Sequence, residues 1–180
     1  FPDTSETRLG TLRFTDGYPS DATAQTLFDN LDFQRAVQAY LLAIPAVSQA
    51  TNRDAILKLG PANGVRAIRA VENIMDSRST FLTANTSTPY SWMWLDLRSG
   101  PIVLESPPKV LGAINDMWYR WVVDIGLTGP DKGKGGKYLI LPPGYKGDVP
   151  KGYIVVRAPT YSLWVPWRSF VVDGDPKPGV

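Results

Sequence analysis

The sequence contains no cysteine and no histidine. Without cysteine there is no disulfide, zinc finger, iron–sulfur cluster or thiolate nucleophile. Without histidine there is no Ser-His-Asp triad and no two-histidine metal site. Chemistry carried by this chain alone falls to Asp, Glu, Lys, Arg, Tyr, Ser or Thr. No apolar run reaches the roughly 20 residues of a membrane span. Charge of one sign is also missing: 19 Lys+Arg stand against 17 Asp+Glu, a formal net charge of +2. With no basic cluster, the composition argues against a dedicated nucleic-acid binder. The chain opens Phe1-Pro2-Asp3-Thr4, with no initiator Met and no apolar leader, the start expected of a chain whose export signal has been removed.

What is present suits a globular domain. Of the 180 residues, 43% are hydrophobic and 11% aromatic, while 16 Gly and 16 Pro promise many turns. All six Trp lie at or after Trp92, and twelve of the sixteen Pro lie at or after Pro89. Two unlike segments follow, 1–84 and 85–180, together one domain.

The first segment reads as helical. Leu9–Phe14 suits a short edge strand. Tyr18-Pro19-Ser20-Asp21 supplies a turn and an N-cap. Leu27, Leu31, Phe33, Val37, Leu41 and Ile44 recur at helical spacing and predict an amphipathic helix over 22–44, ended or kinked by Pro45. A weaker helix is expected over Ser48–Leu57 and a third over Val65–Met75.

The second segment reads as short strands: Tyr90–Leu97, Ile102–Glu105, Ala113–Leu127, Tyr138–Leu141, Gly152–Ala158 and Leu163–Val172, separated by Pro- and Gly-rich turns. Tyr90–Leu97 is apolar on both faces, so burial on both sides is expected. The fold class expected is α+β, with N-terminal helices packed on an antiparallel β-sandwich or jelly-roll-like sheet.

Ala113–Leu127, taken as one long strand, is the candidate site. Alternation puts Met117, Tyr119, Trp121, Val123 and Ile125 on a core face. Asp116, Trp118, Arg120 and Asp124 fall on the other face. Such a row is either a solvated, ion-paired surface or the wall of a binding cleft, with an indole for stacking and charges for orientation. Tyr90 and Arg35 are further candidates. A straight strand would separate Asp116 from Asp124 by ~26 Å, too far for the acid and base of a glycosidase. The loop Gly129–Lys137 lacks the phosphate-binding G-x-x-x-x-G-K-[ST] pattern and reads as a flexible hairpin loop. Asp173-Gly174-Asp175 is only a fragment of a calcium loop. No metal site and no cofactor are expected.

Several motifs occur together in order: Leu31–Leu41 followed by Ala43-Ile44-Pro45; Thr88-Pro89-Tyr90 with Leu95-Asp96-Leu97; Gly100–Glu105; Asn115-Asp116; Leu139–Tyr145; and Arg157-Ala158-Pro159-Thr160. In combination, over about 16–175, they resemble the DUF1254 family. The resemblance implies an uncharacterised bacterial protein, often exported, whose relatives continue into a C-terminal DUF1214 β-domain absent here. That domain, on the same or another chain, becomes the expected partner, beside possible homo-oligomers. A periplasmic or extracellular location is expected. The functional expectation is a module for binding a small molecule or carbohydrate, or for assembly. The alternatives are a hydrolase or lyase using Asp, Glu, Tyr or Arg and completed by a partner domain, and a self-associating structural protein.

Overall fold

A computed structural model describes residues 2–58, 60–63, 66–67, 86–173 and 175. The chain divides into two compact units, Phe1–Ile44 and Pro45–Val180. The boundary expected at 84 lies outside the described residues.

In the first unit β1 (Thr4–Thr7), β2 (Gly10–Thr15) and β3 (Tyr18–Pro19) form an antiparallel meander. Helix α1 (Asp21–Leu57) follows. Ser20 caps it: its Oγ accepts the Thr23 amide at 3.3 Å, while the Thr23 hydroxyl accepts the Arg13 amide at 2.8 Å and ties β2 to the first turn.

Two expected helices are thus one. It runs through Pro45, which lacks the amide that would bond the Leu41 carbonyl. The units divide at this residue. The expected helix over Val65–Met75 is corrected at its start, because Arg66–Ala67 is strand β4, paired with Trp92 and Ser91. The rest of it lies outside the described residues.

The second unit is α+β, with the last turns of α1 and two facing sheets. The five-stranded sheet has the order β4-β5-β11-β7-β8, with β5 Tyr90–Asp96, β7 Leu111–Asp116, β8 Trp121–Gly126 and β11 Ser162–Arg168. All its pairings are antiparallel. The three-stranded sheet has the order β10-β9-β6, with β6 Ile102–Ser106, β9 Gly136–Leu141 and β10 Ile154–Arg157. Here β9 and β10 run parallel, a departure from the antiparallel expectation. Parallel neighbours need a crossover, which residues 142–153 provide.

The core lies between the sheets. Met93, Leu95, Leu163, Val165, Ile114 and Ile125 meet Leu104, Tyr138, Ile140 and Val156. The opposite face of the large sheet carries a second cluster of Trp92, Trp94 and Trp164 under Ile56 from the end of α1. β5 is therefore buried on both faces, as its sequence pattern requires.

Pro166 sits in β11 between two partners, an unusual place for proline. The β11–β7 register pairs Leu163, Trp164, Trp167 and Arg168 and skips Val165 and Pro166, so no ladder bond is asked of the missing amide. Opposite, Gly112 lets the strands close: a Cβ there would lie 2.5 Å from the Pro166 oxygen and 2.5 Å from the Trp167 Cβ.

Candidate functional site

The long strand expected over Ala113–Leu127 is a hairpin. β7 and β8 pair antiparallel with Ile114 opposite Val123 and Ala113 opposite Asp124. Residues 117–120 make the turn. A composition of alternating aromatic and charged residues does not reveal such a reversal, because no glycine, proline or asparagine occurs within 117–120. The turn instead draws on a side chain outside it. Asp116 is fully buried. Its Oδ1 accepts the amides of Trp118 and Arg120, each at 2.9 Å, and its Oδ2 accepts the Arg120 guanidinium Nε at 2.7 Å. Tyr119 adopts φ 61, the left-handed conformation rare outside glycine.

The turn pushes three aromatic residues outward. Trp118 is 44% exposed, Tyr119 55% and Trp121 67%. Tyr119 and Trp121 are thus not core, as strict alternation implied. The Tyr119 ring stacks on Trp164 at 5.6 Å. Trp164 meets Trp92 edge-on at 6.4 Å, and Trp92 meets Tyr90 at 6.0 Å. A row of rings therefore crosses the outer face of the large sheet from the hairpin tip to Tyr90.

Beside that row lies an open cleft of about 260 Å³. Tyr90 of β5, Arg168 of β11, Ala113 of β7, Asp124 of β8 and Thr128 line it. The register explains the convergence. Arg168 stands opposite both Tyr90 and Leu111, and Asp124 opposite Ala113, so their side chains leave the same face. The Arg168 guanidinium carbon lies 5.5 Å from the centre of the Tyr90 ring. Asp124 Oδ1 accepts the Trp121 indole N–H at 2.8 Å, which couples the exposed indole to the cleft rim.

The expected site residues accordingly fall in three places. Tyr90 and Asp124 share the cleft. Asp116, Trp118 and Arg120 build the hairpin tip, with Asp116 as its anchor. Arg35 belongs to the first unit, an exposed helix residue 3.9 Å from Asp32, and does not line the cleft. Because the strand reverses, Asp116 and Asp124 come far closer than 26 Å. They still cannot act as an acid–base pair, since Asp116 faces the core side with Ile114 and Asp124 faces outward with Ala113. Arg168 and Trp121 were missed as site residues. An Arg ending an aromatic strand was the available signal for the first.

The loop after β8 is not a flexible hairpin loop. It joins β8 of one sheet to β9 of the other. Asp131 is buried within it, and its Oδ1 accepts the Gly126 amide at 2.9 Å and the Tyr138 hydroxyl at 2.7 Å. Burial, then the hydrogen bond to Asp131, pushes the Tyr138 phenol above its ordinary range. The amides of Lys132, Gly133 and Lys134 bond carbonyls of Gly129, Gly126 and Asp131, which leaves them unavailable to an anion. Among the described residues no group of three acidic side chains is placed to hold a metal ion. No helix among them is long and apolar enough to cross a membrane.

The model of DUF1254, a protein family of unknown function, matches residues 65–180. No curated protein matches the sequence. Among solved structures, the crystal structure of the VPA0106 protein from Vibrio parahaemolyticus is similar, with a TM-score of 0.57 and 19% identity. The likeness covers 75% of this chain and 32% of that one, so this chain spans about a third of that protein's length. At such identity the likeness speaks for the fold alone.

Proposed function

For a chain that belongs to the DUF1254 family, we propose a role as a binding module for a small polar ligand of the carbohydrate class. The observation that carries this reading is the cleft on the outer sheet face, where Tyr90, Asp124 and Arg168 converge beside the exposed Trp121. Sugars are held by aromatic faces that stack on their C–H surfaces and by planar polar side chains that pair with hydroxyls. Both kinds of group meet here on a rigid sheet. The ring-lined hairpin tip extends the surface toward a longer glycan. The reading includes an extracytoplasmic location and a further domain or chain beside this one, such as a DUF1214-like partner.

The test is titration of a panel of mono- and oligosaccharides, followed by tryptophan fluorescence and NMR shift changes. Saturable binding is expected. Trp121→Ala and Asp124→Asn should each weaken it at least tenfold while the melting temperature stays nearly constant. Absence of saturable binding across the panel overturns the reading.

A further inference from the structure

We propose that the cleft selects an anionic sugar unit, a hexuronate, with Arg168 pairing its carboxylate and Asp124 accepting its hydroxyls. The inference rests on the binding reading above and adds the charge of the ligand to it.

Arg168 carries the argument. It is half-buried, its backbone is locked in β11 between β5 and β7, and its guanidinium lies over the Tyr90 ring. A cation held on an aromatic face loses little further freedom when it binds an anion. It has no carboxylate partner among the described residues. The other arginines with ion pairs there, Arg35, Arg53, Arg98 and Arg120, each hold a neighbouring Asp. Arg168 thus keeps the bidentate edge that matches a carboxylate.

Asp124 stands across the cleft. Two strand spacings and two residues of rise separate its Cα from that of Arg168 by roughly 12 Å. Its Oδ1 already takes the Trp121 indole, while its Oδ2 has no hydrogen-bond partner among the described residues. A ligand with an anionic group at one end and hydroxyl donors at the other matches this polarity. A neutral sugar leaves Arg168 unpaired, and a phosphate dianion brings a second negative charge toward Asp124. A cleft of about 260 Å³ suits one ring, being smaller than the 300–1,000 Å³ of pockets for drug-sized ligands.

The test compares glucuronate and galacturonate with glucose and galactose on the full chain, by calorimetry or NMR titration. The wild type is expected to bind the acids at least tenfold tighter than the neutral parents, with a preference that shrinks as salt rises. Arg168→Met should bring the acid-to-neutral preference to about one, read as a ratio of affinities within the variant. Arg168→Lys, which keeps the charge without the fork, should retain only part of it. The melting temperature of each variant establishes that it is folded. Equal wild-type binding of acid and neutral sugars, or an undiminished preference in folded Arg168→Met, overturns the inference and leaves the binding reading standing. Failure of every sugar to bind overturns both.

Discussion

Asp116 and Arg120 hold each other across the turn they delimit. The guanidinium Nε of Arg120 donates to Oδ2 of Asp116, and the Arg120 amide donates to Oδ1. The partners are unequal, because Asp116 is fully buried while the Arg120 side chain is 64% exposed. Replacing Asp116 by Ala removes the acceptor for three donors. We expect a loss of about 3 kcal/mol, measured by urea unfolding. Arg120→Ala keeps both amide bonds but leaves the buried carboxylate without its counter-charge, and should cost about 1–2 kcal/mol, less than the loss of Asp116.

Gly126 closes β8 with φ +80, and a Cβ there would collide with the Val110 carbonyl. Gly126→Ala therefore strains the backbone and overlaps a neighbour. A destabilisation of about 2–4 kcal/mol is expected from denaturant curves. Gly152, also at positive φ with open space around it, should cost only about 1 kcal/mol on the same change.

Tyr138 sets an alkaline limit. Its phenol is raised by burial first and by the Asp131 hydrogen bond second. A raised folded value means the contribution is fully present below the unfolded value of about 10 and is lost as pH climbs beyond it. The wild type should lose stability steeply above about pH 10. Tyr138→Phe should lack that slope and start about 1–3 kcal/mol lower at neutral pH, with the buried Asp131 deprived of a donor.

Asp96 sets a weaker acid limit. The side-chain hydrogen bonds from Arg98 hold its carboxyl below the ordinary value, against a smaller opposing effect of burial. The contribution is present above the unfolded value of about 3.9 and fades as pH falls through the lowered one. Asp96→Asn should flatten the stability profile below about pH 4 in thermal melts taken at stepped pH.

The legible parts of the fold were those written locally. Strand β5 announced its double burial through unbroken apolar and aromatic residues, and Ser20 announced the start of α1. The hairpin was hidden because its turn is made by the Asp116 carboxylate and a left-handed Tyr119 instead of Gly, Asn or Pro. Misreading it moved Tyr119 and Trp121 into the core, whereas both are exposed. The cleft was hidden for a different reason. Tyr90, Asp124 and Arg168 lie on three strands brought side by side only by the register of β5, β11, β7 and β8, a relation between distant segments that no periodicity encodes.

The position of β11 has a consequence for how the molecule comes into being. The β7–β8 hairpin is local and closes within microseconds. β11 follows every other strand of its sheet in sequence, yet it must be inserted between β5 and β7. Such non-local pairing places folding in the slow range of β proteins, roughly milliseconds to seconds. A nascent chain that has not yet reached Ser162 lacks Trp164, Pro166 and Arg168. During synthesis the cleft is therefore completed only by the strand that also completes the sheet.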